Sequence, residues 1–174
     1  MLDRIIDILE KIWDSIVPFI IILEYQQGVL LRFGKYKKVL NKGIHRKIPI
    51  ADSVIVEHIA VTTTPLPPQS LTTLDNETIV VKGIIKYKIV DIHKYALLIW
   101  DAHDALVDTT CGIIRDTVNE KNWEEVRLGK IDGLISRRIK AAADEYGIEV
   151  LWVTLTDIAI MKSIRLFTNS NILD

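Results

Sequence analysis

The chain is poor in cysteine and has no long apolar run. Cys111 is the only cysteine among 174 residues, so an intrachain disulfide and a cysteine-based zinc site are both excluded. The longest uninterrupted apolar run, Ile16–Leu23, has eight residues, whereas a helix needs roughly 20 to cross a bilayer. We therefore expect that the chain does not span a membrane.

Acidic residues are absent between Tyr25 and Ala51, although the net charge of the whole chain is −1. Seven cations fall in this interval: Arg32, Lys35, Lys37, Lys38, Lys42, Arg46 and Lys47. Cations beside an apolar segment are attracted to an anionic lipid surface, by about 1 kcal/mol for each Lys or Arg. We predict that these seven side chains contact lipid headgroups, and a solvated hairpin loop over Lys35–Lys42 is the alternative interpretation.

The sequence contains no glycine-rich phosphate loop, no nucleophile elbow and no HExxH motif. Five candidate ligands crowd one region: Asp101, His103, Asp104, Asp108 and Cys111. A metal or acid–base site would need a second convergent set of ligands, and the other histidines are scattered along the chain. Asp101 and Asp104 are better explained as acids favoured at a helix N-terminus. We expect no enzyme activity and no cofactor, and a metal-dependent enzyme is the alternative.

The first 17 residues have the pattern of an amphipathic helix that ends before Pro18. Asp3 and Asp7 are unlike the basic leader of a secretion signal. We favour a helix lying in the membrane interface, and the alternative is that its apolar stripe packs on the protein or on copies of it. The predicted membrane contacts are Ile12, Trp13, Ile16, Val17, Pro18, Phe19, Ile20, Ile21, Ile22 and Leu23.

Strands are predicted next, over Gln27–Phe33, Ser53–Thr62, Glu77–Val90 and Ile148–Ile160. The first strand is expected to return through Val39–Leu40 or through Ile44–Ile48. In the third, apolar and lysine side chains alternate, and Gly83 predicts a bulge or a close backbone approach.

Helices follow the third of these strands. Asp101 and Asn122 are predicted to cap two helices, and Ile131–Tyr146 is predicted to form another that stops at Gly147. Strands, then helices, then a strand indicate an α+β domain with helices on one side of a mixed or antiparallel sheet. Met161–Asp174 is expected to contain a short helix.

Several short motifs occur in an order that resembles a known family. They are Gly28-Val29, Arg32-Phe33-Gly34-Lys35, Gly43-Ile44-His45, Ile48-Pro49, Thr73-Leu74-Asp75-Asn76, Tyr87-Lys88-Ile89-Val90-Asp91, Arg115 and Tyr146-Gly147-Ile148-Glu149-Val150. Over about Glu24–Ile160 the chain resembles the SPFH or band 7 family of stomatins, prohibitins, flotillins and HflK/HflC proteins, most of all the stomatin branch. It departs from the family at Ile92, where proline is usual, and in lacking the long N-terminal hydrophobic segment and the C-terminal coiled coil.

The resemblance implies an SPFH domain over residues 25–161, between a membrane-associating segment at 1–24 and a short segment at 162–174. It implies a membrane-associated scaffold that forms a ring or cage and organises lipid microdomains or membrane proteins, such as a membrane protease. The implied partners are lipids, copies of the chain, a client membrane protein or a longer family member, and not nucleic acid. The basic cluster and the lack of a secretion signal favour a peripheral or monotopic protein on the cytoplasmic face.

Lateral contacts in such rings commonly pair charges between neighbouring domains. The predicted oligomer interface consists of Arg115, Asp116, Glu120, Lys121, Glu124, Glu125, Arg127 and Lys130. The alternative function is a soluble adaptor that binds a protein or a nucleic acid through residues 32–47, where Phe33 and Tyr36 lie among cations and could stack on bases.

Overall fold

The computed structural model of the chain describes residues 18–161, which form nine β-strands and three α-helices. The strands are β1 (Phe19–Ile22), β2 (Gln26–Arg32), β3 (Lys35–Leu40), β4 (Gly43–Arg46), β5 (Asp52–His58), β6 (Thr62–Pro65), β7 (Gln69–Thr72), β8 (Thr78–Ile89) and β9 (Ile148–Ile160). The helices are α1 (Ala102–Asn119), α2 (Trp123–Arg127) and α3 (Asp132–Ala143), with a π-helical turn at Lys94–Leu98 and a 3-10 turn at Asp144–Tyr146. The α+β prediction is confirmed, and the predicted helix at 1–17 lies outside the described residues.

The strands pair antiparallel throughout the described range, in three groups. The first sheet has the order β3-β2-β5, and a separate ribbon is formed by β1 and β4. In the second sheet, β8 pairs with β6 and β7 along one edge and with β9 along the other. Of the two predicted returns for the first strand, Val39–Leu40 is confirmed, because the strand containing Ile44 pairs with β1 instead.

The ribbon of β1 and β4 covers one face of the first sheet. Ile22 is 2% exposed and packs with Leu30 and Leu40, and the partly buried Ile20 packs against this cluster. Segment Phe19–Ile22 is therefore a strand whose inner side chains belong to the protein core. The predicted lipid contact at Ile22 is corrected here, because the first sheet covers that side chain.

The predicted strand Ser53–Thr62 is wrong in its extent, since two strands occupy this region. After His58 the chain leaves the first sheet, with the Ile59 amide donating to the Tyr25 carbonyl at 3.0 Å. It then joins the second sheet as β6, where Thr62 pairs with Tyr87. One apolar segment thus contributes to both sheets.

Strand β8 lies at the centre of the second sheet, and alternate residues along it are buried. Helices α1 and α3 pack on this buried face, with Leu106, Ile114, Ile135 and Ile139 in the same cluster as Ile79 and Ile85. At Gly83 the pairing with β9 shifts register, and an added Cβ would lie 3.0 Å from the Thr154 carbonyl oxygen. The bulge and the close approach predicted at Gly83 are both confirmed.

The π-helical turn covers the other face of the first sheet and couples the two sheets. Val29 of β2 is fully buried and clusters with Ile89 and Ile92, and Tyr95 packs on the same cluster. Tyr36 of β3 meets His93 edge to face, with ring centroids 4.5 Å apart. The first sheet is therefore covered on both faces, and among the described strands none pairs with the outer edge of β3 or of β5.

Gly147, the predicted helix terminator, provides a test of this packing. Its φ is +71°, and an added Cβ would lie 2.3 Å from the Asp91 carbonyl oxygen. Gly147→Ala is expected to lower the free energy of unfolding by about 2–5 kcal/mol, the sum of left-handed strain and overpacking. Gly129→Ala is the control: it shares the positive φ but has open space around it, so strain alone, about 1–2 kcal/mol, is expected. Equal losses in urea titrations of the two variants would contradict the steric explanation.

Candidate membrane-facing site

Two turns lie side by side at one end of the first sheet. Arg32, the last residue of β2, is paired with Asp52, the first residue of β5. Phe33 follows β2 and Ile50 precedes β5, and the Phe33 amide donates to the Ala51 carbonyl at 2.8 Å. We call Phe33, Ile48 and Ile50 the apolar tip.

The apolar tip is exposed and conformationally strained. Phe33 has φ 51° and is 80% exposed, and Ile50 has φ 69° and is 93% exposed. The left-handed conformation costs roughly 1–2 kcal/mol for a residue with a side chain, and a β-branched residue such as isoleucine is a rare occupant. Strain of this kind is concentrated at functional sites, and here it presents two large apolar side chains to solvent.

An ion pair holds the tip together. The Arg32 guanidinium donates to both carboxylate oxygens of Asp52, at 2.7 and 3.0 Å, and the Ile48 amide donates to the same carboxylate at 2.8 Å. The Asp52 side chain is fully covered, and the bonds from Arg32 and Ile48 lower its pKa to about 2. Arg32 was predicted to bind a lipid headgroup, but the structure commits its guanidinium to this pair.

The described chain begins at the same end of the first sheet. The Lys47 amide donates to the Pro18 carbonyl at 2.8 Å, and Phe19 is paired with Arg46. Residues 1–17, which include the predicted contacts Ile12, Trp13, Ile16 and Val17, are outside the described range. They join the domain next to the apolar tip.

The outer face of the ribbon continues this apolar surface. Ile21 and Ile44 are cross-strand partners and are 64% and 71% exposed. Phe19 and Leu23 are also exposed. Among the predicted membrane contacts that the structure describes, Pro18, Phe19, Ile21 and Leu23 are exposed, whereas Ile20 and Ile22 face the first sheet. Alternation along β1 separates the two sets.

The remaining predicted headgroup cations are not all at the tip. Lys35 begins β3 beside the tip, and Arg46 is exposed on β4. Lys37 and Lys38 are exposed farther along β3. Lys42 forms an ion pair with Glu24, near the opposite end of the first sheet, and Lys47 is half-buried.

The predicted oligomer interface is rich in ion pairs within the chain. Arg115 pairs with Asp116, Lys121 with Glu125, Arg127 with Glu124, and Glu120 with Arg138 of α3. Exposed pairs of this kind contribute about 0–1 kcal/mol, so a neighbouring domain could exchange them at little cost. Contact between copies through these residues stays a prediction.

Members of the candidate ligand cluster at Asp101–Cys111 have local structural roles. The Asp101 carboxylate accepts from the Asp104 amide at 3.1 Å, which confirms the predicted helix cap. His103 Nδ1 lies 2.8 Å from the hydroxyl of the buried Tyr87. Burial raises the pKa of the Cys111 thiol. Within residues 18–161, no group of three or more His, Cys, Asp or Glu side chains could hold a metal ion.

Local sequence patterns do not indicate the exposed position of Ile50, nor an open cleft on the β5 side of the first sheet. The cleft has a volume of about 300 Å³ and includes Glu57, Tyr95, Trp100 and Asp101 in its lining. Trp100 is 98% exposed. Burial, and then the neighbouring Tyr87, Glu57 and Asp101, raise the pKa of Tyr95 to about 12. Two sequence features could have indicated them: Pro49, which precedes Ile50, and Trp100, which precedes the helix cap Asp101.

Across residues 18–161, none of the helices is long and apolar enough to cross a bilayer.

Comparison with known proteins identifies a family and several relatives. The family model for the SPFH domain / Band 7 family matches residues 20–166. A protein of Archaeoglobus fulgidus is 25% identical over 83% of the chain, and a band 7 family protein of Acanthamoeba polyphaga mimivirus is 23% identical over 84%. Human mitochondrial stomatin-like protein 2 is 24% identical over 82%. The matches cover 59%, 49% and 41% of these relatives, so the chain spans about half of their length.

The Arg32–Asp52 pair predicts a pH dependence. Because the pKa of Asp52 is lowered in the folded state, its stabilising effect is complete above the unfolded value of about 4 and is lost as pH falls toward about 2. The free energy of unfolding of the wild type should therefore fall more steeply between pH 4 and pH 2 than that of Asp52→Asn. Identical slopes for Asp52→Asn and the wild type in urea titrations would refute this assignment.

Proposed function

Because the chain belongs to the SPFH domain / Band 7 family, whose members are membrane-associated scaffolds, we propose that it lies on a membrane surface with its apolar tip in the lipid interface. The observation that carries the proposal is the pair of strained, exposed side chains Phe33 and Ile50 beside the entry of residues 1–17. Exposing these apolar side chains to water is unfavourable, whereas placing them in the lipid interface is favourable.

The energetics support this orientation. Moving a Phe or Ile side chain from water to an apolar environment contributes about 1.5–3 kcal/mol, which is enough to offset the roughly 1–2 kcal/mol cost of the left-handed backbone that presents it. Lys35 and Arg46 lie beside the tip, where an anionic leaflet adds about 1 kcal/mol for each cation. Phe19 and Ile21 extend the apolar surface along the ribbon.

We further propose that copies of the chain assemble side by side on the membrane, in a ring or a related array. Such an array would organise lipids or a client membrane protein, such as a membrane protease. We place the protein on the cytoplasmic face as a peripheral or monotopic protein, in keeping with its basic juxtamembrane segment.

Vesicle flotation with the full chain tests the role of the tip. Phe33→Gly/Ile50→Gly removes two apolar side chains at positions where glycine relieves backbone strain, so the fold should be retained. Its partition onto phosphatidylcholine/phosphatidylserine vesicles should fall at least about a hundredfold, since two contributions of about 1.5–3 kcal/mol are lost.

The matched control is Leu74→Gly/Leu128→Gly, which removes two exposed apolar side chains outside the first sheet and should float like the wild type. Unchanged flotation of the tip variant would contradict insertion of the tip. Failure of the wild-type chain to float, together with a salt-dependent gel shift of RNA, would favour the soluble adaptor.

A further inference from the structure

The two edges of the first sheet differ in charge. Strand β3 forms one edge, with Lys37 and Lys38 exposed, and neither lysine has a salt-bridge partner among residues 18–161. The register between β2 and β3 shifts so that Leu30 pairs with Lys38 and Leu31 with Tyr36, which leaves Lys37 as a bulge. We call Lys37 and Lys38 the lysine edge.

The opposite edge, formed by β5, is acidic and aromatic. The cleft there is lined by Ile55 and Glu57 of β5 and by Tyr95, Trp100 and Asp101. The Glu57 carboxylate forms no hydrogen bond or salt bridge within the described part of the chain. Trp100 stands almost fully exposed at the margin of the cleft. We call this surface the acidic cleft.

We propose that the lysine edge of one copy docks in the acidic cleft of the next copy. The inference rests on the proposed function, because a tip inserted in a membrane leaves the two edges of the first sheet facing sideways along the membrane surface. A neighbour on the same membrane then meets one edge with the other.

The chemistry of the two surfaces is complementary. Glu57 and Asp101 offer carboxylates to an ammonium group, and the face of an indole such as Trp100 attracts a cation as well. Neither the lysines nor Glu57 has to give up a salt bridge within the described domain in order to form the contact.

The contact uses side chains and not an added strand. Lysines and a bulge on an edge strand are devices that prevent backbone pairing with another chain. They leave the ammonium groups of Lys37 and Lys38 projecting beyond the sheet, where a carboxylate-lined cleft of a neighbour can receive them.

The docking is head to tail, because the two surfaces belong to different edges of the same sheet. A heterologous contact of this kind closes into a ring if the rotation between copies divides a full turn, and it otherwise continues as an open array. Each copy contributes one lysine edge and one acidic cleft, so every copy in a closed ring makes two contacts.

Disulfide crosslinking between two single-cysteine variants tests the proposal. Lys37→Cys and Trp100→Cys are made in the full chain carrying Cys111→Ala, and each is oxidised on vesicles alone and after mixing. Head-to-tail contact predicts disulfide formation at least about tenfold faster in the mixture than in either variant alone. Equal rates in one variant alone, or no disulfide in any sample, would overturn the proposal.

Charge reversal provides a second measurement that does not depend on the new cysteines. Glu57→Lys alone, or Lys37→Glu/Lys38→Glu alone, should lower the mass of the assembly in mass photometry at moderate salt. Mixing the two reversed chains should restore an opposite-charge contact and yield a mixed species that neither forms alone. A mixture no larger than its components would argue against the pairing.

Flotation of the same samples separates the two proposals. Chains that float without forming the mixed disulfide would overturn the contact and leave the membrane role intact. If the chains do not float, the membrane role fails, and crosslinking in free solution at high protein concentration decides whether the contact exists.

Discussion

Strand β8 is the constraint on which the rest of the domain depends. It is paired along both edges, and its buried side chains, among them Ile79 and Ile85, form the surface on which α1 and α3 pack. Its last residue, Ile89, is also in the cluster that contains Val29 of the first sheet. A single strand therefore sets the position of the helices and fixes the first sheet to the second.

The first sheet, held in place by β8, carries the surfaces that are accessible to partners. Both of its faces are covered, one by the ribbon and the other by the π-helical turn, so its end and its edges carry the features available to partners. At the tip end of the first sheet, the covered Asp52 carboxylate accepts hydrogen bonds from Arg32 and from the Ile48 amide. The turns beside it hold Phe33 and Ile50 in left-handed conformations. The strain at the tip is sustained by an ion pair whose carboxylate is covered and whose guanidinium is partly exposed to water.

Much of the fold could be predicted from the sequence, because local patterns dominate it. Three local predictions are confirmed: the alternation in β8, the Asp101 cap and the helix stop at Gly147. The order of the motifs also indicates the family that matches residues 20–166. Long-range pairing was harder. Nothing local indicates that β1 pairs with β4, so Ile22 looked like part of a membrane segment when it is a core residue.

The candidate site was less predictable than the fold for the same reason. The sequence does not distinguish Arg32 from the other six cations of its segment. Its partner Asp52 lies 20 residues away, and only the pairing of β2 with β5 brings the two together. Phe33 and Ile50 are likewise separated in sequence, and their backbone angles have no signature in composition. Glu57 and Trp100 come together only because the π-helical turn crosses the first sheet.

The direction of the last strand determines where the chain leaves the domain. Ile160 pairs with Ile79, at the end of β8 remote from Ile89 and the first sheet, so Met161 leaves the domain far from the apolar tip. Ile89 lies ten residue steps along the extended strand from Ile79, a distance of about 33 Å. If the apolar tip lies against lipid, as proposed, the domain is a spacer that holds Met161 at its opposite end, away from the headgroups.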